Sequence, residues 1–208
     1  MSVDGVPVKG LKSERSRTLV ALLLLHRHAP QTRAHMAVTL RPESTDAAAK
    51  ANLRRRLHEL KQQLPAGDWL QVSKSTLQWN GQSWSECDVA DFETVLDQAL
   101  SSATNSDSQD MIALLEKAVM LYQGDLFPSC YDDWIVPYRE QFQQRMMTAL
   151  DTLITRLAEQ NQGRSAIEYA QRMRQMDPLQ EPAYCHLMRL YAQEGDRASA
   201  VRIYHQCM

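Results

Sequence analysis

Between residues 47 and 64 the chain places Lys50, Arg54, Arg55, His58, Lys61 and Gln62 at spacings that a helix gathers on one side. At about 100° per residue, with Leu53 set at zero, these six fall between about 60° (Lys50) and about 200° (Arg55), while Leu53, Leu57, Leu60 and Leu64 cluster within about 60° of one another. The remaining flank carries Asn52, Arg56, Glu59 and Gln63, so no carboxylate interrupts the basic front. An apolar back and a basic, hydrogen-bonding front suit a helix lying in the DNA major groove, where Arg and Lys meet guanine edges and phosphates and Gln meets adenine. The rival reading of the same face is a solvated charged surface.

The elements around this helix decide between the two. Ser13 can cap a first helix carrying Leu19, Val20, Leu22, Leu23 and Leu24, with Pro30 as its stop. Thr32 then stands as N-cap of a short second helix to Leu40, closed by Pro42. The third helix starts near Ser44 or Thr45 and ends at Pro65 and Gly67. Two alternating stretches follow, Leu70 to Val72 and Leu77 to Trp79, with Ser73 to Thr76 as their turn. Ahead of the first helix, Val3 to Val8 reads as a hairpin with Asp4-Gly5 in its turn. Three helices and a hairpin in this order predict a winged helix over residues 1–80, and that context favours DNA over a merely solvated face. Thr32 and Arg33, at the start of the second helix, are placed to meet a phosphate; Thr32 also serves as a plain helix cap. Lys74 at the hairpin tip reads equally as a DNA contact or a solvated turn residue.

Charge divides along the same line. Residues 1–80 hold 13 Lys and Arg against 6 Asp and Glu, net +7, whereas residues 81–208 hold 10 against 19, net −9. The total of −2 therefore hides a basic module that meets a polyanion and an acidic module with another partner. The apolar run Leu19 to Leu25 is far shorter than the ~20 residues needed to span a bilayer, and the first ten residues lack the pattern of a signal peptide. Cys87, Cys130, Cys185 and Cys207 form no CxxC pair, so neither a metal site nor a redox motif is expected and a reducing cytoplasm is the expected compartment. His26, His28 and His35 have no acidic partner at triad or ligand spacing, and no phosphate-binding glycine loop occurs, so neither catalysis nor a cofactor is expected. His26 and His28 are instead expected at a helix end, where imidazole interacts well with the dipole.

After a polar link at residues 81–87, the acidic half reads as helices throughout. Asp88 heads a helix with Phe92, Leu96, Ala99 and Leu100; a polar loop runs from Ser101 to Ser108; the next helix carries Ile112, Leu115, Ala118, Val119 and Tyr122 and closes at Gly124. A long helix begins near Pro137 and runs to about Gln162. The tail then repeats at an offset of 34, pairing Ala158 with Ala192, Ser165-Ala166 with Ser199-Ala200 and Ile167 with Val201, while Gly163 and Gly195 mark the two turns. Thirty-four residues is the tetratricopeptide period, in which each helical hairpin needs neighbours to bury its apolar face. Met208 falls inside the second helix of such a unit, so a longer parent polypeptide is expected.

Several stretches together resemble the Streptomyces antibiotic regulatory protein family of transcriptional regulators. In the first half these are Leu22 to Pro30, Thr32 to Met36, Pro42 to Ser44 and Ala51 to Leu60; in the second they are Asp88 to Phe92, Ala118 to Leu126 with its Tyr-Gln-Gly-Asp, Asp133-Trp134, Asp177 to Glu181 and Gly195 to Ala200. The chain departs from the family at Leu40-Arg41-Pro42, where a tryptophan is usual in place of Arg41, and at Lys74-Ser75-Thr76-Leu77, where the wing usually reads Gly-Tyr-Arg-Leu. The resemblance implies a mainly α protein: a winged helix at 1–80 with small β-hairpins, a linker at 81–87, and an all-α, tetratricopeptide-like bacterial transcriptional activation domain at 88–208. It implies an activator that binds promoter DNA with its third helix and contacts RNA polymerase or another protein through residues 88–208. Repeated DNA sites would seat two protomers, and no membrane is involved. The alternative is an interaction or sensor scaffold whose winged helix has lost DNA affinity. If the labour is divided as the charge is, residues from 87 onward produced alone should be helical by circular dichroism and silent toward duplex DNA. Retained DNA affinity in that fragment would contradict the division.

Overall fold

Short polar residues set where the helices of the basic half begin. The computed structural model describes residues 2–3, 6–7, 13–64, 67–80, 87–101 and 108–207. Helix α1 spans Glu14–Leu25, and Ser13 caps it by accepting a hydrogen bond from the Ser16 amide at 3.1 Å. Helix α2 (Arg33–Leu40) is capped by Thr32, and α3 (Asp46–Gln63) by Thr45 rather than Ser44. Each cap satisfies an amide that the helix itself leaves without a partner.

Strands β1 (Ser2–Val3) and β2 (Val6–Pro7) pair antiparallel; the turn expected at Asp4-Gly5 lies outside the described residues, as do residues 81–86 of the expected link and 102–107 of the expected loop. A second sheet orders β3 (Gln31–Thr32), β5 (Thr76–Trp79) and β4 (Leu70–Val72) with β5 in the middle, all antiparallel. The hairpin is the expected one. Strand β3 was not expected, because two residues show no periodicity; it forms through its pairing with β5, Gln31 opposite Leu77 and Thr32 opposite Thr76. The core beneath gathers Leu19, Leu22 and Leu23 of α1, Met36 of α2, Leu53, Leu57 and Leu60 of α3, and Leu77 and Trp79 of β5, with the ring of Trp69 tilted against that of Trp79, centroids 5.7 Å apart.

The acidic half forms helices α4 (Asp88–Ser101), α5 (Ser108–Leu121), α6 (Val136–Glu159), α7 (Gly163–Met176), α8 (Glu181–Gln193) and α9 (Arg197–Cys207). They pack in sequence as antiparallel neighbours, with Ala149, Ala166, Ala170 and Ala183 fully buried where helices approach. Arg172 of α7 donates to the Val119 and Tyr122 carbonyls at the end of α5, at 2.9 and 2.8 Å, meeting acceptors that a helix C-terminus leaves unpaired.

The 34-residue repeat recurs in the backbone, with one correction. The residue matching left-handed Gly195 (φ 81°) is Asn161 (φ 58°), not Gly163, which is the first residue of α7. Both turns close with the same bonds: Gln162 N to Leu157 O and Asp196 N to Tyr191 O, each 2.9 Å, reproduce one helix-ending motif. Asparagine and glycine share little in a sequence alignment but are the residues that best tolerate this conformation.

The chain divides into two packing units, Met1–Cys87 with Phe127–Ile135, and Asp88–Leu126 with Val136–Met208. Residues 127–135, grouped by the sequence reading with 88–208, thus pack with the first unit. Nothing lies within 4 Å of a Cβ added at Gly195, so only its backbone angle opposes substitution. Gly195→Ala should therefore destabilise the second unit by about 1–2 kcal/mol, whereas Asn161→Gly should be neutral or mildly stabilising. Thermal melts of the two variants test this; equal loss in both would refute the equivalence of the two turns.

Candidate nucleic-acid interface

The leucine stripe fixes which way α3 faces. Leu53, Leu57, Leu60 and Leu64 are all buried, and Lys50, Arg54, Arg55, His58, Lys61 and Gln62 are all exposed. Lys50, Arg54 and Lys61 make no ion pair among the described residues. His58 and Gln62 are joined through their side-chain nitrogens at 3.0 Å, which pre-aligns two hydrogen-bonding groups one turn apart.

One edge of the front differs from the sequence reading. Arg55 donates to Asn52 Oδ1 at 3.1 Å and lies 3.9 Å from Glu59, so a carboxylate does border the basic face. Glu59 is held more tightly by the half-buried Arg56, at 2.6 Å, which offsets much of its charge. Arg55 is therefore partly engaged along its own helix, and Arg54 is the least encumbered arginine of the front.

A second group sits around the three-stranded sheet. Thr32 Oγ1 accepts from the His35 amide at 3.2 Å, so its cap role is occupied. The Arg33 amide donates to Ser75 O at 2.8 Å, and Thr32 pairs with Thr76, which together fasten the start of α2 to the turn carrying exposed Lys74. Thr32, Arg33 and Lys74 are thus brought to one end of the sheet, on elements distinct from α3. The turn itself is built by Ser73, whose Oγ accepts from the Thr76 and Ser75 amides at 2.8 and 3.2 Å. The Arg33–Ser75 bond escaped the sequence reading because no pattern announces a long-range backbone pair.

His26 stands at the end of α1 as expected, and its ring meets that of His35 edge-on at 6.2 Å. A helix C-terminus favours the imidazolium, yet burial, and secondarily His35, pushes the His26 pKa below the ordinary imidazole value. Desolvation outweighs the dipole here. No three His, Cys, Asp or Glu among the described residues could hold a metal ion, and no helix among them is long and apolar enough to cross a membrane.

Residues 87–208 match the family model of the bacterial transcriptional activator domain. No curated protein matches the chain significantly. Among solved structures, Mycobacterium tuberculosis EmbR in complex with a low affinity phosphopeptide is similar in fold, with a TM-score of 0.83 at 16% identity over 100% of this chain. The chain spans 56% of that EmbR chain. MamA 41-end from Desulfovibrio magneticus RS-1 matches with a TM-score of only 0.29 at 13% identity, over 95% of this chain and 96% of its own, and carries no argument.

The His26 environment has a measurable consequence. The unfolded chain binds this proton more readily than the folded one, so stability rises with pH through the titration window. It is fully present above about pH 6.5 and is lost as the pH falls below that value. Urea midpoints of the first unit should drop on acidification through this range, and His26→Gln should flatten the dependence; an unchanged slope in the variant would exclude His26 as its source.

Proposed function

This chain belongs to the bacterial transcriptional activator domain family through residues 87–208, and on that premise we propose that it is a DNA-binding transcriptional activator of the Streptomyces antibiotic regulatory protein type. In this reading α1, α2, α3 and the β3-β5-β4 sheet form a winged helix, with α3 in the major groove and the Ser73–Ser75 turn as the wing. The observation that carries it is the division of α3 into a fully buried leucine back and a front of six exposed Lys, Arg, His and Gln side chains. Arg54, Lys50 and Lys61 supply donors for guanine edges and phosphates, while the His58–Gln62 pair presents hydrogen-bonding groups to base edges. Thr32, Arg33 and Lys74 flank the groove and meet the backbone.

The acidic hairpins have a different role. Their net charge opposes DNA and their 34-residue repeat suits a tetratricopeptide-like surface, through which the protein contacts RNA polymerase or another protein. Two protomers seat on repeated sites, in the cytoplasm, and the protein acts without a cofactor and without catalysis.

Fluorescence anisotropy with duplex DNA tests the reading. Affinity should fall with salt by roughly 0.9 log units per log unit of salt for each phosphate neutralised. Arg54→Ala/Arg55→Ala should weaken binding by about tenfold or more with an unchanged helical spectrum, and exposed Lys117→Ala should not matter. Absence of duplex affinity at low salt would establish the interaction scaffold instead, and full affinity in the double variant would remove α3 from the groove.

A further inference from the structure

The first unit is not assembled from contiguous chain. Its core of α1, α2, α3 and sheet residues is joined by Trp134, which packs against the buried cluster although it lies beyond α4 and α5 in sequence. The segment that delivers it, Phe127–Ile135, is shaped by its own bonds. Phe127 adopts a left-handed φ of 48°, the Cys130 amide donates to Phe127 O at 3.0 Å, and the Ile135 amide donates to Asp132 O at 3.2 Å. Asp132 Oδ2 accepts from the indole Nε1 of Trp134 at 3.3 Å and from Cys130 Sγ at 3.8 Å, which orients the ring. Cys130 and Ile135 are buried, at 3% and 0% exposure, whereas Tyr131 between them is 91% exposed. A bulky residue such as Phe127 persists in the left-handed region only where its surroundings over-determine it.

Where the segment lies gives it a role. It lines one side of a groove of about 810 Å³ whose opposite walls include Leu40 and Pro42, in the turn joining α2 to α3, and Asn52 and Arg56 of α3 itself. On the helical wheel Asn52 and Arg56 fall at about 260° and 300°, away from the basic front at about 60° to 200°. Helix α3 is therefore held on its back by the leucine core, against which Trp134 also packs, and residues 130–134 border its Asn52 and Arg56 flank across the groove, away from the basic front.

We propose that Phe127–Ile135 is a brace that fixes the α2–α3 turn and the orientation of α3, with Trp134 as its positioning residue. Sequence that belongs to the activation-domain region thereby controls how the first unit presents its basic helix. Only the bearing on DNA rests on the functional reading above; the brace itself does not.

Hydrogen exchange on the full chain tests it without DNA. In Trp134→Ala, amides of residues 36–57 should exchange about tenfold faster or more, as expected for a local opening, while those of α7 and α8 keep their rates. Trp134→Phe should restore most of the protection, and Tyr131→Ala should leave it unchanged. Wild-type exchange at residues 36–57 in Trp134→Ala would overturn the brace. Should that variant fail to fold, thiol labelling of the wild-type chain decides: Cys130 should react far more slowly than exposed Cys185 and Cys207, and equal rates would overturn the proposal. Failure of the wild-type protein to bind duplex DNA would instead remove the DNA reading and leave the exchange result standing.

Discussion

Burial of the three leucines of α3 and of its C-cap Leu64 is the constraint on which the rest of the first unit depends. Removing one such side chain from water contributes about 1.5–3 kcal/mol, whereas an exposed ion pair such as Arg55–Glu59 contributes between about zero and 1 kcal/mol. The rotation of the helix is therefore settled by Leu53, Leu57, Leu60 and Leu64, and its charged residues go where that rotation sends them. A basic front is thus obtained without any polar interaction having to hold it. The same economy leaves Lys50, Arg54 and Lys61 extended into solvent, where a partner rather than the protein itself can satisfy them.

Position along the chain is set by smaller terms acting together. Ser13, Thr32 and Thr45 each terminate a helix by accepting an amide three residues on, and each is worth about 1 kcal/mol. Thr32 belongs also to β3, so the residue that starts α2 is the one that pairs with β5. Start of helix and edge of sheet are the same place, and the Arg33 amide bonded to Ser75 locks them in register. The hairpin turn cannot move without disturbing the entry to α2.

What the sequence made legible were features written in local period. The three helices of the first unit, the hairpin, the leucine stripe, the exposed basic face and the 34-residue spacing all follow from residues close together in the chain. What escaped were features created by distant partners. Strand β3 exists only opposite β5, and Trp69 joins the core with its ring tilted against that of Trp79 across the sheet; the approach of Glu59 to Arg55 is by contrast local, one helical turn and about 40° apart on the wheel. The turn equivalence of Asn161 and Gly195 was hidden by chemical difference: the same left-handed region was served by two residue types, and a nearby glycine drew the alignment instead.

The segment Phe127–Ile135 shows why charge and packing boundaries need not coincide. By charge the chain changes character near residue 80, from +7 to −9. By packing, the first unit takes in Cys87 and then Asp132 and Asp133, so that with Glu86 its net charge becomes +4 and that of the second unit −6. Asp132 is turned toward Trp134 and Cys130 of its own segment, and its segment borders the flank of α3 that carries Asn52 and Arg56. The added carboxylates thus lower the total charge of the unit without standing on its basic face. For a helix that meets a polyanion, the potential at that face matters more than the sum over the domain, because exposed charges farther than about 8 Å are largely screened at physiological salt. An acidic segment can therefore join the packing of a basic module, provided the leucine core has already decided which side of the helix it borders.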